Sequence, residues 1–109
     1  MFRFRSRATG DLIMLEPNGR HILQILGRTD SAAQQKGILL PEDMPAALAA
    51  LEAAIAHEAA QRAEAIRLAQ ERNEAEPRFE GISLRQRATP LIEMIRRCQQ
   101  AEREIVWGV

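Results

Sequence analysis

The chain has 109 residues, 46% of them hydrophobic, and a formal net charge of zero. That length suits one domain, which can bury roughly 65% of its unfolded surface without staples. A single cysteine, Cys98, excludes an internal disulfide framework, and neutrality removes any global attraction to nucleic acid or membrane.

The N-terminus is basic, but its only nearby apolar run, Leu12 to Leu15, is too short for a signal peptide or a membrane span. The lone thiol fits a reducing compartment, so a cytoplasmic location is expected. The charges are unevenly spread. Residues 1–28 carry five arginines against Asp11 and Glu16, whereas residues 42–80 carry nine acids against four arginines. Residues 83–104 are basic again, with five arginines against three glutamates.

Phe2 to Arg7 alternates strictly, with Phe2 and Phe4 on one side and Arg3, Arg5 and Arg7 on the other. Period two predicts a strand with one buried and one wet face. Ala8-Thr9-Gly10 supplies a turn, and Asp11 to Leu15 is apolar on both faces. The pair predicts a β-hairpin whose first strand is an edge and whose second is more buried. Glu16-Pro17-Asn18-Gly19 breaks the pattern. Asn18 or Gly19 then caps a short helix over 20–27, with Ile22, Leu23, Ile25 and Leu26 on one face and Gly27 as its stop. A strand over 21–26 is the rival reading.

Residues 28–37 are small and polar and predict a mobile loop, with Ile38-Leu39-Leu40 as a short apolar anchor. Prolines and acids at 41–45 mark a helix start. Met44, Leu48, Leu51 and Ile55 then share one face of a helix over 43–73. Large apolar residues thin out beyond His57, so residues 57–75 continue as an exposed helix that projects past the core. Glu52, Glu58, Glu64 and Glu71 read as its solvated face. Ser83 with Gln86 has capping-box spacing, with Ile82 as a hydrophobic staple. The following helix carries Leu84, Ala88, Leu91, Ile95 and Cys98 on one stripe. Pro90 either kinks this helix or starts a second one capped by Thr89. Residues 104–109 predict a closing strand.

The expected architecture is α+β, in the order β-β-α-α-α-β. A three-stranded, mainly antiparallel sheet, the N-terminal hairpin plus the C-terminal strand, packs against two long helices and one short one.

No catalytic, cofactor or metal residues emerge. Cys98, His21 and Asp11 make a nucleophile, base and orienter on paper only, because Cys98 shares the apolar stripe of Leu91 and Ile95. The histidines and the cysteine are scattered singly, without metal-ligand spacing. Arg3, Arg5 and Arg7 are the candidate nucleic-acid contacts, with Arg85, Arg87, Arg96 and Arg97 as a second basic set. No aromatic residue interleaves with the exposed arginines to stack bases. A strand edge, an overhanging helix and opposed local charges favour protein interaction or a homodimer. The reading is thus a non-enzymatic interaction or self-associating module, with a nucleic-acid-associated protein as the alternative.

Four stretches carry a family resemblance: Phe4 to Met14, Gly37 to Ala47, Ser83 to Met94, and Val106-Trp107-Gly108-Val109. In this order they resemble the bacterial domain of unknown function 1840 family. The resemblance implies a small cytoplasmic bacterial protein and brings no activity, ligand or catalytic residue with it. Thr89 stands where the resemblance leads one to expect a bulky aromatic, which implies looser packing beside Pro90.

Overall fold

The computed structural model describes residues 1–109. β1 (Phe2–Arg5) and β2 (Leu12–Met14) form the hairpin, followed by α1 (Glu16–Ile25) and α2 (Ser31–Gln35). β3 (Gly37–Leu39) and a 3-10 turn (Pro41–Asp43) lead into α3 (Met44–Glu71), and α4 (Leu84–Ala101) and β4 (Ile105–Trp107) complete the chain. The α+β class is as expected, but the sheet has four strands, in the order β2-β1-β4-β3, with every pair antiparallel.

The extra strand is the anchor at 37–39. Three residues show no readable alternation, and their partner β4 lies some seventy residues away, so local pattern could not reveal the pairing. The hairpin order is also corrected. β1 is interior, between β2 and β4, and β2 is the edge. Its apolar run therefore buries only one face, leaving Ile13 48% exposed.

The polar segment at 28–37 is organised rather than loose. Asp30 caps α2 by accepting a hydrogen bond from the Ala33 amide (2.8 Å), and the Gln34 side chain donates to the Arg28 carbonyl (3.0 Å). The Trp107 indole donates to the Ala33 carbonyl (2.9 Å). Gly37 is required beneath that ring, since a Cβ there would lie 2.3 Å from Trp107 Cζ2.

The helical reading of 20–27 holds against the strand, although α1 begins earlier. Glu16, Pro17 and Asn18 form its first turn, where proline lacks only a donor that would be unpaired anyway. Gly19 does not cap. It is buried under the Phe2 ring, which a Cβ would strike. Gly27 ends the element at φ +88°, a value that costs glycine little.

α3 is one unbroken helix of 28 residues, about 42 Å long. Met44, Ala47, Leu51 and Ile55 are buried on its inner face, while Leu48 is half-buried. Its distal half does project, but it is partly covered on the way back. Ala69 is buried, and the Arg62 guanidinium sits over the Phe79 ring at 4.8 Å. Arg67 bridges Glu64 and Glu71 on the solvent side (2.6 and 2.9 Å), holding the Glu64 carboxyl below its usual range.

Glu58 departs from that solvated face. Its Oε1 accepts from the Leu84 amide (2.9 Å) at the start of α4, and its carboxylate pairs with Arg62 and Arg87 (3.3 and 3.9 Å). A carboxylate here meets both an orphan donor and the positive end of the helix dipole. The Ser83–Gln86 capping box forms as expected. The staple does not, because Arg87 stands where an apolar partner is needed and Ile82 is 60% exposed. Of the two readings of Pro90, the restart is excluded, since α4 is a single helix with the proline inside it. The residue lies on the exposed side, and the Thr89 hydroxyl donates back to the Arg85 carbonyl instead of capping. Ala88 and Leu91 on either side are fully buried, so packing is not loosened there.

The helices and the inner face of the sheet share one core of 19 residues, including Phe4, Trp107, Ile22, Leu51, Leu91 and Ile95. Leu51→Ala and Leu91→Ala should each lower unfolding free energy by ~2–5 kcal/mol in denaturant melts, with a smaller loss at half-buried Leu48. Glu58→Ala should cost ~1–2 kcal/mol through loss of the α4 cap, and Glu64→Ala should be nearly silent. Equal losses at the two glutamates would refute the capping role of Glu58.

Candidate functional site

The sheet buries one face and leaves the other uncovered. Alternation places Phe2, Phe4, Met14, Leu39, Ile105 and Trp107 inward, and Arg3, Arg5, Ile13, Ile38 and Val106 outward. Register assembles these outward residues into two rows. Arg5, Val106 and Ile38 run across β1, β4 and β3, and Ile13 and Arg3 pair across β2 and β1. Ile38, like Ile13, is roughly half exposed. The result is a mixed surface with branched apolar residues towards both edges and arginines along β1.

Arg3 and Arg5 do share one face, as the alternation implied. Arg7 is exposed just beyond the strand. Asp11, immediately before β2, reaches both in-strand arginines, with Oδ2 lying 3.8 Å from Arg3 Nε and 3.6 Å from Arg5 Nε. Both separations exceed those of a charge-assisted hydrogen bond, so each group retains bonding capacity. A hollow of about 320 Å³ lies beside them, lined by Arg5, Ser6, Arg7, Asp11, Glu104 and Val106. The carboxylates make this surface amphoteric rather than a row of free cations.

Aromatic residues are absent from it. Phe2, Phe4 and Trp107 are buried, with Phe4 and Trp107 in edge contact at 6.0 Å, and Phe79 lies against Arg62. The second arginine set is dispersed. Arg96 pairs with Glu52 (3.7 Å), and Arg87 is committed to the α1–α4 junction. There its Nη1 donates to Asn18 Oδ1 (3.0 Å) and to His21 Nδ1 (3.1 Å).

The paper triad does not assemble. Buried Cys98 donates its thiol to Ser6 Oγ (3.2 Å), His21 faces Arg87, and Asp11 faces Arg3 and Arg5. No group of three or more His, Cys, Asp or Glu side chains converges as a metal site, and no helix is long and apolar enough to cross a membrane.

The residues missed in the sequence are Ile13, Ile38 and Val106. Ile13 was hidden in a run that read as buried on both faces, and Ile38 in a strand too short to recognise. Val106 alone carried a usable signal, since it alternates with Ile105 and Trp107.

No match was found among curated proteins or solved structures. The family model described as "Domain of unknown function (DUF1840)" matches residues 1–107. The four stretches singled out in the sequence fall on β1 and β2, on β3 with the start of α3, on α4, and on β4. With the match running from the first strand to the last, the chain belongs to the DUF1840 family.

Proposed function

We propose that this chain is a non-enzymatic protein-interaction module whose contact surface is the uncovered face of its sheet. The observation that carries the reading is the exposure of Ile13 and Ile38, at 48% and 43%, on a face that no helix covers. Branched aliphatic side chains on a regular sheet gain free energy when a second layer removes them from water. The arginines on β1, between the two isoleucines, can pack their stems in the same layer while their guanidinium groups reach water at the strand ends.

Nucleic-acid association through Arg3, Arg5 and Arg7 is the competing reading. Two of its three arginines already share Asp11, and no aromatic side chain is available on that face for bases to stack on.

A photo-crosslinking residue at Ile38 should capture protein in the producing cell, whereas one at Glu93, exposed on α4, should capture none. Equal yields at both sites would overturn the assignment of the face. Salt-sensitive binding of the purified chain to single-stranded DNA or RNA, lost in an Arg3/Arg5/Arg7→Ala variant, would move the function to the alternative.

A further inference from the structure

We infer that the occupant of this face is a second copy of the same chain, stacked face to face about a twofold axis. The inference rests on the reading of the face as an interaction surface and adds the identity of its partner.

The first argument is charge. Arg3, Arg5 and Arg7 lie on or beside the face together with Asp11 and Glu104. A strongly basic partner meets three arginines, and a strongly acidic one meets two carboxylates. A twofold-related copy presents the same mixture in reverse, so arginines of one protomer can approach carboxylates of the other. The ion pairs within the face, at 3.6 and 3.8 Å, leave room for this sharing. The whole chain has zero net charge, so no long-range repulsion opposes the approach of two copies.

The second argument is shape. Two sheets pack with their planes about 10 Å apart, a gap that interdigitating isoleucine and valine side chains fill. Ile13 lies on one edge strand and Ile38 on the other, with Val106 between them on β4. Arginines on β1 fit such a gap by lying along the sheet and turning their heads to the rim.

The third argument is area, which limits the strength. Four strands spaced about 4.8 Å apart, each three or four residues long, offer a face on the order of 250 Å². That is well short of the ~800 Å² per partner of a standard stable complex. The dimer is therefore weak and exchanges rapidly, with a dissociation constant on the order of 100 µM or higher.

Sedimentation equilibrium from roughly 10 µM to roughly 2 mM should show a monomer–dimer equilibrium in this range. Ile38→Asp and Val106→Asp should weaken it at least tenfold while keeping the far-ultraviolet circular dichroism of the parent. Charge reversal supplies the sharper test. Arg3→Glu with Arg5→Glu takes the face to a net −3 and Asp11→Arg takes it to +3, so each variant alone should dimerise at least tenfold more weakly. Mixing the two should restore association as a heterodimer. A chain that stays monomeric at the highest concentration overturns the inference. So does a dimer indifferent to Ile38, Val106 and the charge-reversed pair. Either result leaves the interaction reading standing if the Ile38 crosslinker captures a foreign protein. If it captures nothing beyond the Glu93 control, that reading falls as well.

Discussion

The structure turns on Trp107. It is the largest fully buried side chain, and it comes from the last strand of the chain. Its ring lies against Gly37 with no space for a Cβ between them, and its edge meets Phe4 of β1. Its N–H finds the Ala33 carbonyl in α2, and the Arg28 guanidinium covers the ring at 5.6 Å. An indole brings large apolar area and one donor that must be satisfied when buried. Meeting both demands here orders three segments at once: the central strand, the α2 turn and the β3 edge. Arg28 adds a second effect by donating to the Ile38 carbonyl (3.1 Å), which occupies an acceptor on that edge strand. A guarded edge discourages uncontrolled strand addition on the β3 side of the sheet, while β2 forms the opposite edge.

The helical layer has its own fixed point where α3, α4 and α1 meet. Glu58 lies mid-way along α3, yet it receives the first amide of α4 and faces Arg87, which in turn binds Asn18 and His21 of α1. A carboxylate at a helix start is stabilised by the dipole and by a donor that otherwise lacks a partner. The same group ties the start of α4 to the middle of α3, and the last turns of α3 project beyond that contact. Those turns are stabilised locally by the Arg67 bridge to Glu64 and Glu71 and by the Phe79 return segment. An isolated, exposed bridge of this kind is screened by salt and contributes little, whereas the cap is partly sheltered.

Which parts of this were legible depended on the reach of the forces involved. The Phe-Arg alternation, the α3 and α4 stripes, the capping box and the Gly27 stop are all set by neighbours within a few residues, and the sequence showed them. β3, α2 and the interior position of β1 depend on Trp107 and on pairings across most of the chain, so local pattern was silent. Glu58 was misassigned because a glutamate among glutamates looks solvated until the start of α4 is placed beside it. Pro90 left two readings open because its local rule is strong. It removes the donor that would reach the Gln86 carbonyl, and both residues lie on the exposed side of α4, where water can take that donor's place. The candidate face was half legible, since its arginines follow from the alternation of β1. Its isoleucines do not, because their exposure appears only once the strand order is known.

That asymmetry bears on function. Arginines alone suggest an anionic ligand, while isoleucines and a valine alone suggest a second protein layer. With both on one face and Asp11 beside the arginines, an anionic ligand would meet a carboxylate as well as Arg3 and Arg5, and would leave Ile13, Ile38 and Val106 in water. A protein layer can match the mixed charges and also bury the aliphatic groups. Strands of three and four residues still limit how much such a layer can bury. On the proposed reading, affinity from this face is low, and partner choice comes from matched shape and charge more than from area. Among the surfaces that match it, the same face on another copy is the one whose pattern of charge and branched side chains the chain itself encodes.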